Sequence, residues 1–160
     1  YAAEGNTTNG ATFAKKTLPS TYPDAYAEVY ADVVSQASQV NLLRLRDAAG
    51  NSLCYVYVNT KGKLGVHNDT TGKNTVSSVV FGSGWHSVQV RLSADATQGT
   101  TTGILQVWLD GTLVAALSST SVDVGSASVG AIQVGDTQTG RTYDVVFDDA
   151  AFGTTRLGAP

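Results

Sequence analysis

Short runs of alternating apolar and polar residues recur along the chain, and each run is closed by a glycine-containing or polar turn. The run Ile104–Leu109, for example, is joined to Thr112–Leu117 by Asp110-Gly111, a dipeptide that favours tight hairpins. Because a period of two places successive side chains on opposite faces, each run reads as a strand. The pattern predicts an all-β fold of two packed sheets or a barrel.

The composition supports this interpretation and excludes several classes of protein. Val and Thr number 20 each among 160 residues, and such β-branched side chains favour strands over helices. The net charge is −3, and Lys15–Lys16 is the only adjacent basic pair, so the chain lacks the concentrated cationic surface that binds nucleic acid. No apolar stretch is long enough to span a bilayer, so no membrane insertion is expected. The single Cys54 alternates with Val56 and Val58 and is expected to be a small buried core residue.

The chain divides into a central module with two flanks. Residues 1–24 are predicted to form an N-terminal arm and a first edge strand, 25–153 the sandwich, and 154–160 a C-terminal linker or tail. Residues 1–11 and 154–160 are small and polar, as in one module of a longer extracellular chain, with a short processed protein as the alternative. We therefore expect a secreted or surface-exposed protein, displayed on a cell or a virion.

The middle of the chain resembles a known family. The segments Gly84–Val90 (GWHSVQV) and Leu105–Val114 (LQVWLDGTLV) are similar to a strand and a hairpin of laminin-G-like, concanavalin A-like lectin-glucanase jelly rolls. Leu43–Asp47 (LRLRD), the run from 53 to 64, and the closing segments 134–136 and 147–149 extend the resemblance to about residues 25–153. It implies a two-sheet antiparallel β-sandwich, a jelly roll, in which His86 and Asp110 have structural roles.

Some enzymes share this type of fold, so the catalytic patterns need testing. Retaining glycosidases require two carboxylates about 5 Å apart. The chain has only two glutamates, Glu4 and Glu28, and Asp32 lies about 13 Å from Glu28 along a strand. A polysaccharide lyase set of tyrosine, histidine, arginine and glutamine remains available, although no spacing singles it out; its candidates are Tyr55, Tyr57, Arg44, Arg46, His67 and Gln89. The chain is therefore expected not to be an enzyme, with lyase or glycoside hydrolase activity as the less favoured alternative.

A sugar-binding face needs aromatic rings that stack on sugars and planar polar groups that bond hydroxyls. Strand alternation supplies both types on the side opposite the apolar positions. We predict that these groups form one polar-aromatic binding face on a single, concave sheet. The alternative is that the same side chains only cover that sheet and bind nothing. Its members are Arg44, Arg46, Tyr57, Gln89, Arg91, Gln106 and Trp108.

A structural calcium ion is a second possibility that the resemblance raises. Calcium takes oxygen ligands, and a late-strand aspartate with ligands from the N-terminal segment is typical of β-sandwich carbohydrate-binding modules. Asp148, Asp149 and Glu4 are the candidates, with a solvated strand edge as the alternative.

The sequence thus predicts a non-catalytic carbohydrate-binding or adhesion module whose partner is a polysaccharide or surface glycan. The alternative is a structural subunit of an extracellular filament, sheath or virion fibre, which would bind copies of itself or a larger assembly. Fold alone does not decide between these functions.

Overall fold

The computed structural model describes residues 2–158, which form two packed antiparallel sheets. We call them sheet A and sheet B. Sheet A contains seven strands: β1 (Ala3–Thr7), β3 (Asp24–Gln36), β8 (His86–Ser93), β9 (Gly103–Leu109), β10 (Thr112–Leu113), β11 (Ser119–Val122) and β13 (Tyr143–Gly153). Sheet B contains six: β2 (Thr12–Tyr22), β4 (Val40–Arg46), β5 (Ser52–Val58), β6 (Lys63–Asn68), β7 (Lys73–Val80) and β12 (Val129–Asp136). The predicted two-sheet antiparallel β-sandwich is confirmed.

The order of strands shows how the chain alternates between the sheets. Sheet A runs β1-β13-β3-β8-β9-β10, with β11 also paired to β9, and sheet B runs β2-β12-β4-β5-β6-β7. The segment 1–24 supplies β1 and β2, which lie at the edges of the two sheets. The Tyr143 hydroxyl on β13 hydrogen-bonds Thr12 Oγ1 on β2 at 2.8 Å and so links the sheets.

Alternation places one set of side chains between the sheets. On β3 the alternate residues Ala25, Ala27, Val29 and Ala31 are all fully buried. Leu43 and Leu45 on β4 and Val88 and Leu92 on β8 belong to the same core cluster, whose burial supplies the main driving force for folding. Cys54 is buried in this core, where the sequence predicts it.

One predicted strand is shorter than its pattern indicates. The run Thr112–Leu117 forms strand only at Thr112–Leu113 and then a 3-10 turn over Ala115–Leu117. The Ser118 hydroxyl bonds the Val114 carbonyl at 2.9 Å, and Leu117 N bonds the same carbonyl at 2.9 Å. This turn reverses the chain so that β11 can pair with β9.

Asp110 and His86 have the structural roles that the sequence indicates. Asp110 adopts a positive φ of 48° in the turn between β9 and β10, a conformation that Asp tolerates. Its carboxylate accepts the Ser87 N–H at 2.9 Å and lies 2.8 Å from His86 Nδ1. The turn is thereby fastened to the start of β8.

Among residues 2–158, the structure has no helix with the length and apolar content needed to cross a membrane.

Candidate functional site

The seven predicted binding residues lie on two sheets rather than one. Arg44 and Arg46 on β4 and Tyr57 on β5 point outward from sheet B, whereas Gln89, Arg91, Gln106 and Trp108 lie on β8 and β9 of sheet A. Alternation identifies which side of a strand faces outward but not to which sheet the strand belongs. The single face that the sequence predicts is therefore two separate faces.

A row of polar side chains crosses the outer face of sheet B in register. Strand pairing aligns Gln133 with Arg44, Arg44 with Tyr55, Tyr55 with His67 and His67 with Asn74. Lys15 on the edge strand β2 extends the row beyond Gln133. Because paired residues point to the same side, the six side chains lie in one line across six strands. We call this line the register row.

Aromatic and cationic groups stack at the centre of the register row. The Arg44 guanidinium carbon lies 4.3 Å from the centroid of the Tyr55 ring, within the range of a cation–π contact. The Tyr55 and His67 rings stack at 4.8 Å with an interplanar angle of 23°. These three planar groups form a continuous, partly exposed surface of rings and donors.

Hydrogen bonds hold this stack from both sides. Arg44 Nη1 donates to Ser52 Oγ at 3.3 Å, and Ser52 Oγ donates to the Asp69 carboxylate at 2.7 Å. His67 Nδ1 lies 2.9 Å from Asn74 Oδ1, and its Nε2 is 3.7 Å from Asp69. The rotamers of Arg44 and His67 are thus fixed before any ligand arrives, which lowers the entropy cost of binding.

Gln133 supports the second arginine of this face. It is 1% exposed, and its Oε1 accepts a hydrogen bond from Arg46 Nε at 2.8 Å. Arg46 Nη1 also donates to the Gly50 carbonyl at 2.7 Å. Burial and the nearby Arg44 lower the pKa of Arg46, which nonetheless remains charged because an arginine starts from a very high value.

Tyr57 is more enclosed than the sequence indicates. It is 3% exposed and lies across Gly65, where an added Cβ would come within 2.5 Å of the ring. Burial raises the pKa of Tyr57, so its phenol stays protonated at neutral pH. Tyr55, two residues earlier, is the partly exposed ring of the pair, and burial, partly opposed by Arg44, raises its pKa as well.

Cationic groups gather on and beside this face although the chain is acidic overall. Arg141 donates to Asn41 Oδ1 at 3.4 Å at one side and forms an ion pair with the buried Asp136. Lys15, Arg44, Arg46 and Arg141 are accompanied by three carboxylates, Asp47, Asp69 and Asp136, on a chain of net charge −3. The outer face of sheet B has a local positive excess.

The outer face of sheet A has the opposite character. Its strand positions carry six carboxylates, and Arg91 there is paired with one of them, Asp24, at 2.6 Å. These acidic residues are Glu4, Asp24, Glu28, Asp32, Asp144 and Asp148. Residues 154–158, which we call the C-terminal strap, lie across part of this face: the Leu157 carbonyl accepts Gln89 Nε2 at 3.2 Å, and Arg156 lies over Trp108.

The predicted calcium ligands lie around β13. Glu4 pairs with Val146, Asp148 pairs with Tyr30, and Asp149 is exposed with a positive φ of 45°. In the described part of the chain, no three His, Cys, Asp or Glu side chains come together as a metal site. A calcium site built from these carboxylates stays a prediction.

Sequence reasoning did not select Tyr55, His67 and Gln133 for the binding face. The first two appear there only as candidates for a lyase, and Gln133 not at all. A signal for Gln133 was available, because it alternates with Ile132 and Val134 and must point away from the core. What the sequence does not contain is the pairing of β12 with β4, which brings Gln133 beside Arg44 and Arg46.

Similar folds occur among solved structures. "Cellulose induced protein, Cip1" superposes with a TM-score of 0.72 at 16% identity, covering 99% of this chain and 81% of that one. The alginate lyase Aly36B in complex with alginate trisaccharide gives 0.65 at 11% identity, covering 97% and 81%. A tetrameric galectin from the ball sponge Cinachyrella sp. gives 0.60 at 12% identity, covering 88% and 99%.

No protein-family model matches the chain, and no characterised protein matches it in sequence. At these identities the superpositions show the fold alone. The fold they share with this chain is a two-sheet antiparallel β-sandwich of the jelly-roll type.

Proposed function

We propose that the chain is a non-catalytic carbohydrate-binding module that binds acidic polysaccharide through the outer face of sheet B. The observation that carries the proposal is the register row, in which Arg44, Tyr55 and His67 stack in contact across three strands. A pyranose ring can stack beside such planar groups, while guanidinium groups bind carboxylates in charge-assisted hydrogen bonds. The local positive excess favours uronate-containing chains over neutral ones.

The neighbours in fold support a glycan as the ligand class. A galectin and an alginate lyase share the architecture at low identity. An extended face about six strands wide suits a polymer better than a small molecule, because each strand adds about 4.8 Å across the sheet. An extracellular setting is part of this proposal, since acidic polysaccharides are matrix and wall components.

Calorimetry with polyglucuronate, alginate and polygalacturonate tests the binding proposal, with neutral dextran as the control polymer. Arg44→Gln is expected to weaken binding by at least about tenfold, the loss of one charge-assisted contact. Lys61→Gln removes an exposed cation from the hairpin loop between β5 and β6 and is expected to leave affinity nearly unchanged. The affinity should also fall as salt rises.

The proposal is rejected if Arg44→Gln and the parent bind the acidic polymers equally well. It is also rejected if both proteins are folded and neither binds any acidic polymer. Arg44→Gln keeps most of the stem that packs on Tyr55. Its melting temperature separates a loss of binding from a loss of fold.

Polysaccharide lyase activity is a second candidate, favoured by the position of Tyr55 between Arg44 and His67. In β-elimination a base removes the proton at carbon 5 of a uronate, the C4–O bond breaks, and a C4=C5 double bond forms while the leaving oxygen gains a proton. Arg44 would neutralise the uronate carboxylate. The raised pKa of Tyr55 keeps its phenol protonated, so Tyr55 would donate the proton to the leaving oxygen.

Ultraviolet absorbance of the unsaturated uronate separates the two candidates on the same polymers. A binding module gives measurable affinity and no increase in absorbance. A lyase gives an increase that Tyr55→Phe abolishes while binding persists.

A further inference from the structure

The outer face of sheet A contains a second aromatic surface, distinct from the register row. Strand pairing aligns Glu28, Gln89 and Trp108 in one row and Tyr26, Arg91 and Gln106 in the next. The Tyr26 and Trp108 rings are neighbours, with centroids 6.1 Å apart and planes tilted by 34°. The two rings form an aromatic platform flanked by the amides of two glutamines.

The C-terminal strap covers half of this platform. The Arg156 guanidinium carbon lies 5.2 Å from the centroid of the Trp108 ring, and Arg156 Nη2 donates to the Gly111 carbonyl at 2.7 Å. With the strap in this position, Trp108 is 7% exposed. Leu157 meets Gly153, where an added Cβ would lie 3.0 Å from Leu157 Cδ2.

The strap leaves one buried polar atom of the Gln89 side chain without a hydrogen-bond partner in the described part of the chain. Gln89 is 4% exposed, and its Nε2 bonds both the Glu28 carboxylate at 3.0 Å and the Leu157 carbonyl at 3.2 Å. Its Oε1, also buried, has no hydrogen-bond partner within residues 2–158. Buried polar atoms are normally satisfied, so Gln89 retains an acceptor for a hydroxyl donor.

The strap is also held by few contacts. Thr154, Thr155, Arg156 and Gly158 are exposed, and the named anchors are two hydrogen bonds, one cation–π contact and the Leu157 packing. Segments with exposed backbone and few buried contacts open locally at low free-energy cost.

We infer that the strap covers a second carbohydrate site, on the Trp108–Tyr26 platform, that accepts an uncharged sugar chain when the strap is displaced. Trp108 offers an apolar ring for a pyranose face, and Gln89 Oε1 and Gln106 offer partners for hydroxyl groups. Glu28 lies beside the platform and repels uronates, while Asp24 and Arg91 neutralise each other, so the ligand class is the opposite of that proposed for sheet B.

A covering strap lowers the apparent affinity in proportion to the fraction of molecules in which the site is open. Two independent changes should open it. Removal of residues 154–160 eliminates the strap, and Gly153→Val crowds Leu157 and the Thr155 carbonyl, which lies 3.1 Å from an added Cβ, without shortening the chain.

The experiment uses the Trp85→Phe background, in which Trp108 is the sole tryptophan because the chain has only two. Acrylamide quenching reports whether Trp108 is accessible, and titration with cellopentaose, laminaripentaose and mannopentaose reports binding. We expect strap removal and Gly153→Val each to increase quenching, and at least one neutral sugar to bind about tenfold or more tightly than to the intact chain. A synthetic peptide of residues 154–160 should compete with that sugar.

The controls separate this site from sheet B. Trp108→Ala in the strap-free protein should abolish neutral-sugar binding, whereas Arg44→Gln should leave it unchanged. Continued shielding of Trp108 after strap removal would overturn the inference. So would an accessible Trp108 that binds none of the three sugars in either strap variant, provided that circular dichroism shows both to be folded. Either result leaves acidic-polymer binding on sheet B unaffected.

Discussion

The Tyr57 ring lies flat across Gly65 because a glycine leaves the neighbouring strand without a side chain at that position. A Cβ at residue 65 would approach the ring carbon Cζ to 2.5 Å, well inside van der Waals contact. Tyr57 is therefore placed by its cross-strand partner as much as by its own strand. The position of the Tyr57 ring therefore depends on Gly65, which has no side chain.

Gly65→Ala is accordingly expected to destabilise the protein by about 1–3 kcal/mol, the usual cost of forcing extra volume into a packed position. Chemical denaturation measures the change in the free energy of unfolding. In a Tyr57→Ala background the same substitution should cost much less, because the ring it meets is absent. A full cost in both backgrounds would show that the ring is not the cause.

The contrast between Tyr55 and Tyr57 shows what the sequence predicts at the level of residues. Alternation correctly places both on the side opposite Cys54 and Val56. It cannot indicate which ring is covered, because this depends on Gly65 opposite Tyr57 and on His67 opposite Tyr55. The identity of a cross-strand neighbour is fixed by register, which local pattern does not contain.

At the scale of elements, Asp95 organises the connections around one end of the sandwich. Its carboxylate accepts the N–H groups of Thr102 and Gly103 at 2.7 Å each and of Val124 at 2.8 Å. Burial alone would raise the pKa of Asp95, but the hydrogen bonds from Val124 and Gly103 outweigh it, so the pKa is lowered. The turn before β9 and the segment after β11 are thereby joined by one side chain.

Asp95→Asn is expected to destabilise the fold by about 2–3 kcal/mol at neutral pH, because an amide cannot accept all the bonds that the carboxylate accepts. The lowered pKa adds a pH dependence. The stabilisation that the Asp95 carboxylate provides is complete above about pH 4, the pKa of an aspartate in the unfolded chain. It is lost as the pH falls through the lower pKa of Asp95 in the folded protein. The difference between parent and variant should shrink in acid; a difference constant from about pH 7 to 2 would contradict this assignment.

Two strands that the sequence does not predict, β1 and β11, have a common cause. Residues 1–24 are expected to supply one edge strand and supply two, β1 and β2. β1 has five residues and β11 has four, so neither shows a clear alternation. Both are edge strands, which have one neighbour instead of two and tolerate polar residues and proline. The central strands, which bury one face completely, carry the pattern and were predicted.

For the whole molecule, Cys54 offers a measure of cooperativity. The thiol is buried between the sheets, and burial, reinforced by the Asp69 carboxylate, raises its pKa far above that of a free cysteine. Since the thiolate is the reactive form, the native thiol should not react with disulfide reagents. Labelling then requires an opening that separates the sheets.

The free energy of opening obtained from labelling rates should therefore equal the free energy of global unfolding from denaturant titration, with the same dependence on denaturant. Removal of the C-terminal strap should leave the labelling rate nearly unchanged, because the strap lies outside the core. Labelling of the native protein at the rate of a free cysteine would show that the sheets separate locally.

The division of charge between the two outer faces has a consequence for how the molecule approaches a surface. Cations gather on sheet B and carboxylates on sheet A, so the molecule has an electric dipole perpendicular to its sheets. The electric field of a polyanionic matrix rotates a molecule with such a dipole before contact, so that its basic face points toward the matrix. At low salt, most encounters would then begin in the binding orientation, and the strap-covered side would be left facing the solvent.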